Sequence, residues 1–342
     1  MKKKVFLGFA CLCSITSFAQ STTIDDGIVV KLAKATHIAF QTDLIIDGQL
    51  RCDTSTIVSI GATDKNCRIM SNNPLKFYSL NATGGTNFID TDSLWINGDI
   101  IINTGKLHLP KTTSLNGSIL NENETGYVVS GNVRKDLYNL VAGQKATTGL
   151  GVAITPYQHY DAITIIRAHE KQSNRGESSI TKYYELQTPI EVLAIDFSYL
   201  NAQSDKKTDT YLLYHKSSNN DSWQSIDSQT NAETKRVASK QGTPTTIQYI
   251  TLFPFPELNY STYITPNDDG FNDYFEVLGI EKCPNSKLVI LTPAGMIIYT
   301  GEPYNNDFDG KSLDLSAGAY YYIFFCDKND SPAKKGYFEI IK

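Results

Sequence analysis

Five histidines, His37, His108, His159, His169 and His215, are the first candidates for acid–base or metal chemistry in this sequence. None forms an H-E-x-x-H pair, and none adjoins a Gly-x-Ser-x-Gly elbow. His169-Glu170 lacks a second histidine at the spacing a zinc site needs. His108 alternates with Leu107 and Leu109 and reads as an outward strand residue. Tyr157, His159 and Tyr160, beside a turn at Pro156, form a candidate ligand patch, with aromatic faces for stacking and a polar ring between them. A plain sandwich edge explains the same residues. Tyr183 and Tyr184 would extend an aromatic platform by one residue only, because neighbours on a strand face opposite sides. Asp90, Asp92 and Asp99 could meet in a cleft as a glycosidase pair, though their spacing does not demand it. There is no P-loop and no Gly-rich dinucleotide fingerprint. The sequence therefore reads as a binding or structural protein, not an enzyme.

Two further groups could carry chemistry. Asn267, Asp268, Asp269, Gly270, Asn272 and Asp273 make an oxygen-rich loop. Carboxylates and carbonyls suit Ca²⁺, with Asp268, Asp269 and Asp273 as the candidate ligands. The loop lacks the spacing and terminal Glu of an EF-hand, and Asn and Asp also build turns by bonding their own backbone. The other group is the cysteines. Cys11 and Cys13 fall in the leader, leaving Cys52, Cys67, Cys283 and Cys326. Four allow three pairings in an oxidising compartment. Cys52–Cys67 and Cys283–Cys326 are favoured because each pair falls within one expected domain; four separate buried thiols are the alternative. No C-x-x-C spacing points to a metal.

Three lysines, a short apolar run from Val5 to Leu12 and small residues before Gln20 make residues 1–19 a secretory signal peptide, cut after Ala19. The run is too short to span a bilayer. Loss of Lys2, Lys3 and Lys4 would take the formal charge from -5 to -8, an acidic balance that argues against nucleic acid as a partner. With 20 Tyr and 15 Phe against 2 Trp and 3 Met, the chain reads as all-β.

Residues 20–125 contain short alternating runs broken by Gly and Asn, such as Leu94 to Ile102 and Lys106 to Leu109. Asn97-Gly98 and Asn116-Gly117 suggest tight turns needing positive φ. The rung-like look of 94–109 fits a small β-solenoid, and a meander of strands fits as well. Residues 126–256 carry longer strand candidates, Ala162 to Ala168, Lys182 to Leu186, Val192 to Tyr199, Thr210 to Tyr214 and Thr246 to Leu252, which suggest an antiparallel β-sandwich. A hairpin is expected around Ser218-Asn219-Asn220. Phe253-Pro254-Phe255-Pro256-Glu257 is a ladder-breaking connector that sets a domain boundary. Residues 257–342 read as a third all-β unit, with strands at Lys287 to Leu291, Met296 to Tyr299, Ala319 to Phe325 and Gly336 to Ile340.

In that last unit Thr265-Pro-Asn-Asp-Asp-Gly-Phe-Asn-Asp-Tyr-Phe275, Pro284 to Ile290, Tyr304-Asn-Asn-Asp-Phe-Asp-Gly310, Leu315 to Tyr322 and Lys335-Gly336-Tyr-Phe follow in order. This series resembles the gliding-motility-associated C-terminal domain of the Bacteroidetes, the type B sorting domain of the type IX secretion system. Thr265, Pro266, Asn267, Asp268, Asp269, Gly270, Asn272, Asp273, Tyr304, Asp307, Asp309, Gly310 and Gly336 carry the resemblance. It implies an immunoglobulin-like sandwich, export through the periplasm to the surface or medium, and partners in the type IX translocon and a PorP/SprF-like outer-membrane protein. Cargo of this kind resembles gliding adhesins and other structural surface proteins, and a carbohydrate-binding accessory role with a glycan ligand is the alternative. The chain departs from the family at Asp268 or Asp269, where Gly is usual, and at Thr292-Pro-Ala-Gly295, where an Asn-Arg-Trp-Gly turn is usual. Asp92-Ser93-Leu94 also matches a short O-glycosylation pattern of that phylum, which requires Leu94 inward and Ser93 exposed.

Overall fold

The computed structural model describes the chain apart from residues 1–3, 8–12, 15–20, 34–35, 64, 118, 175–176, 205–209, 241, 243, 255–257, 281–282 and 328–331. The expected signal peptide falls largely outside the described residues. Of it, Lys4–Leu7 and Cys13–Ser14 are described as short strands lying parallel on Val29–Leu32 and His37–Phe40.

The N-terminal region is a three-faced parallel β-solenoid. One face stacks Ser21–Ile24, Asp43–Ile46, Cys67–Ser71, Thr86–Asp90, Gly105–His108 and Gly126–Ser130. A second stacks His37–Phe40, Ile57–Ile60, Ser79–Ala82, Ile100–Ile102 and Leu120–Asn121. The third runs through Leu75–Phe77, Leu94–Ile96, Thr113–Leu115 and into Asn132–Leu140. Each coil sends alternate residues inward, so Leu80, Ile100 and Leu120 stack on one inner wall and Phe77, Ile96 and Leu115 on another, all buried. This stacking explains why the sequence shows short β-branched runs without long strands.

The two Asn-Gly pairs do not make positive-φ turns. A Cβ on Gly117 would lie 1.8 Å from the Gly98 carbonyl oxygen, so glycine is required here by the close approach of successive corners. The Asn116 side-chain amide donates to Asn97 Oδ1 at 3.2 Å, forming a ladder along the same corner. The favoured Cys52–Cys67 bridge is also not formed. Cys67 lies on the first face, buried in the core, whereas Cys52 ends the Gln49–Cys52 strand on another face. Both are free thiols, and burial pushes Cys52 up to about 12.

From Asn132 the ladder turns antiparallel. Asn132–Leu140 pairs with Tyr160–Ala168, which pairs with Tyr183–Ser198, and Thr245–Pro254 and Tyr211–Lys216 continue the sheet. The candidates Lys182 to Leu186 and Val192 to Tyr199 are one strand. Its first half pairs with Tyr160–Ala168 and its second with Val152–Pro156 and Arg236–Ser239, with the register shifting between Glu185 and Ile190. A strand that bends from one layer into another gives sandwich-like packing. The hairpin at 218–220 is present, with His215 opposite Gln224. Phe253 and Pro254, read as the start of the connector, instead end the Thr245–Pro254 strand opposite Leu212 and Tyr211, with Phe253 buried against Trp223 and Tyr214; residues 255–257 lie outside the described residues. One core runs from Ile24 to Leu252 without interruption.

The C-terminal unit has its own core. Tyr263–Ile264, Lys334–Ile340, Gly318–Phe325, Lys287–Leu291 and Ile297–Gly301 form a five-stranded sheet, and Asn259–Tyr260 pairs with Val277–Leu278. Phe275, Phe308, Phe324, Phe338, Tyr304 and Tyr322 fill the space between them. Cys283 and Cys326 are joined by a disulfide.

Candidate functional site

The polar motifs in 265–310 are hydrogen-bonded to one another in this unit. Three residues of the Thr265–Tyr274 loop hold positive φ, at Asp268, Gly270 and Asn272. Asn and Asp tolerate that region because their short side chains bond locally. Asp273 is the anchor. Its Oδ1 accepts the N–H groups of Asn267 and Asp268 at 3.1 and 2.8 Å, and its Oδ2 accepts that of Gly270 at 2.8 Å. Desolvation raises the Asp273 carboxyl, but these three donors and Lys311 outweigh it and hold it below the ordinary carboxylate range. Asp269 accepts from the Phe271 N–H and from the Asn267 amide, while Asp268 pairs with Lys311.

The second motif is tied to the first. The Phe275 N–H donates to the Phe308 carbonyl at 2.8 Å, and the Tyr304 hydroxyl donates to the Phe275 carbonyl. Asp309 caps its own turn by accepting from Lys311 N–H, Ser312 N–H and the Ser312 hydroxyl. Asp307 accepts from the Tyr299 hydroxyl at 2.6 Å. Gly310 has φ +65°, and a Cβ there would meet Ile340 Cδ1 at 2.9 Å. Gly336 leaves room for the Tyr322 ring, whose hydroxyl would lie 2.6 Å from an added Cβ.

The carboxylates offered as calcium ligands have protein partners in this geometry. Asp268, Asp269 and Asp273 share the loop, yet Asp273 faces N–H donors and Asp268 faces a lysine. Among the described residues no group of three or more His, Cys, Asp or Glu is placed to hold a metal ion. What the loop offers outward is aromatic. Phe271, at its tip, is 74 % exposed, and Tyr274 is exposed beside it. Chemical typing of the sequence passed over both, because it counted oxygen ligands; a phenylalanine flanked by Gly270 and Asn272 in a turn was the available signal.

The other candidates are dispersed. Tyr157 is exposed, and His159 Nε2 lies 3.0 Å from Asp161 Oδ1. Tyr160 is engaged in the sheet, its hydroxyl accepting the Glu191 N–H at 2.8 Å. Tyr184 is buried and donates to the Leu150 carbonyl, leaving only Tyr183 outward. Asp90 pairs with Arg68 on one solenoid face, and Asp99 accepts the Ile119 N–H beside another. Leu94 is buried and Ser93 half-buried.

A buried charge cluster lies where the last solenoid coil meets the antiparallel layers. Arg167, fully buried, donates to Glu122 and to the Leu150 carbonyl. Burial raises the Glu122 carboxyl, but Arg167, Lys182 and His169 together bring it below the ordinary range. Burial drives Lys182 well below the usual lysine value and His169 to about 3. His169 Nδ1 lies 2.7 Å from the Gly131 carbonyl. Arg167, Lys182, His169 and the Glu122 carboxylate are all shielded from solvent, and the cluster reads as a structural lock.

No curated protein and no solved structure matches the chain. Residues 258–340 match the CHU_C Type IX secretion signal domain, a non-catalytic domain that marks exported, surface-attached proteins of the Bacteroidetes for passage to the cell surface or extracellular space.

Proposed function

We propose that residues 20–256 are a structural or adhesive cargo, carried outward by an immunoglobulin-like sorting domain over residues 257–342. The match over 258–340 carries this reading. The leader, residues 1–19, would serve the inner membrane and be removed. At the outer membrane the partners would be the translocon and a PorP/SprF-like protein. The contact surface we assign is the Thr265–Tyr274 loop, where Asp273 fixes the backbone and Phe271 projects outward. The Thr292–Gly295 turn lacks the family's arginine and tryptophan, whereas the Thr265–Tyr274 loop carries two exposed aromatics, Phe271 and Tyr274. Exposed aromatics that lose water on docking are common anchors of protein interfaces.

The test is localisation in a flavobacterial host. The full precursor should reach the surface or medium, and a chain ending at residue 257 should stay periplasmic. Phe271→Ser should reduce export while the purified protein melts as before. If the truncated chain reaches the same compartment as the full one, the C-terminal unit is no address in this protein.

A further inference from the structure

The third solenoid face carries a row of side chains that export does not use. Lys76, Trp95, Ser114 and Arg134 are direct partners in successive parallel pairs. Their strand neighbours Leu75, Leu94, Ile96 and Leu115 are buried, so the row faces outward. At the spacing of paired strands it spans about 14 Å. Trp95 is 38 % exposed, whereas the other tryptophan, Trp223, is 5 % exposed. Arg134 touches Asp136 at 3.4 Å and Thr164 at 3.5 Å, both on the same exposed side.

Beside Lys76 the sheet opens. Gln49–Cys52 pairs with Val29–Leu32 but does not join Leu75–Phe77. The Leu75 N–H donates to the Ser93 carbonyl, toward the Leu94–Ile96 strand. By alternation Pro74 and Lys76 face the other way, and Pro74 has no N–H to give. The strands part around a cleft of about 520 Å³ lined by Gln49, Arg51, Asn73, Pro74 and Lys76 among others. Its two charged side chains, Arg51 and Lys76, are both cationic, and no carboxylate lines it.

We propose that this row and cleft bind an acidic polysaccharide built of uronate residues. The Trp95 indole gives a flat apolar face for a sugar ring. Lys76 and Arg134 on either side of it, and Arg51 across the cleft, bring cations to carboxylates, which would displace the Gln49 oxygen from Arg51 Nε and Nη2 and compete with Asp136 for Arg134. An acidic peptide strand fits less well, because Pro74 interrupts the one sheet edge it would use. The proposal deepens the adhesive reading above, but it is tested on purified protein, so either can fail alone.

The experiment titrates oligogalacturonate into the chain from residue 20 onward and follows tryptophan fluorescence and calorimetry. Saturable binding is expected, weakened by about tenfold or more in Trp95→Ala. Lys76→Gln and Arg51→Gln should each weaken it, as should raising salt from about 0.05 M to about 0.5 M. Trp95→Phe should keep most of the affinity and lose the fluorescence change. Unchanged melting of each variant shows that the fold is intact. Absence of binding, equal binding by Trp95→Ala, equal binding of a neutral malto-oligosaccharide, or competition at equal strength by polyglutamate would each overturn the proposal.

Discussion

The region from Ile24 to Leu252 and the unit from Ile264 to Ile340 solve the same problem with different materials. The first has one long aliphatic core, two unbridged thiols and a buried ion cluster. The second has a small core rich in Phe and Tyr, a disulfide, and carboxylates spent on surface turns. A solenoid grows by adding coils, each burying its neighbour, so core size is not limiting. A unit of about 80 residues buries a smaller share of its surface, and a covalent staple and large aromatic side chains compensate. The carboxylates follow the same division. Glu122 is satisfied by a buried cation, whereas Asp273, only 9 % exposed, is satisfied by backbone N–H groups and serves by ordering its loop.

The strongest way to break the comparison is Arg167→Ala, which strands Glu122 in the core. Loss of one partner of a buried pair costs on the order of 3–5 kcal/mol. Chemical denaturation should show that loss in the upstream transition alone. Replacing both, Arg167→Met with Glu122→Leu, should recover much of it. The C-terminal unit should instead respond to Cys283→Ala with Cys326→Ala, losing about 2–4 kcal/mol. The upstream transition should not move. Reductant should reproduce the second result and leave the first region unchanged.

Acid should separate the regions as well. His169 is held near 3 when folded, so the unfolded chain takes up its proton first as pH falls below the ordinary value of 6.5. The folded state therefore loses stability progressively between those two values, and full stability is present above them. Glu122 works in the same sense further down. Its folded pKa lies below the ordinary 4.5, so its contribution is present above that value and lost as pH falls through the folded one. His169→Gln should flatten the upper part of the melting profile. In the C-terminal unit Asp273→Ala should lower the midpoint modestly and reduce export by freeing three backbone N–H groups. The smallest effect on stability is expected from Phe271→Ser, within about 0.5 kcal/mol, since an exposed side chain is removed.

Much of this plan was legible before the fold. The strand Gly318–Phe325 follows from alternation, Lys287–Leu291 from a short apolar run buried at Leu288, Val289 and Ile290, and the rung-like look of 94–109 from inward Leu and Ile recurring on short strands. The motif loop was legible as a turn because Asn, Asp and Gly tolerate positive φ. Which partners its carboxylates take was not legible, because composition counts oxygens but not where they point. The Cys52–Cys67 pairing failed because nearness in sequence does not fix which solenoid face a residue occupies.

What the sequence by itself determined was local: the all-β character, the turn chemistry around Asp273 and the order of motifs that match a secretion signal. These depend on residue type and short spacing. What only the tertiary structure decided was long-range: the Glu122–Arg167 lock, which of the two favoured cysteine pairs is bonded, and the outward row of Lys76, Trp95, Ser114 and Arg134 beside its cleft. Each depends on register between strands far apart in the chain. A shift of one residue turns every side chain to the opposite face, and no short stretch of sequence fixes that choice.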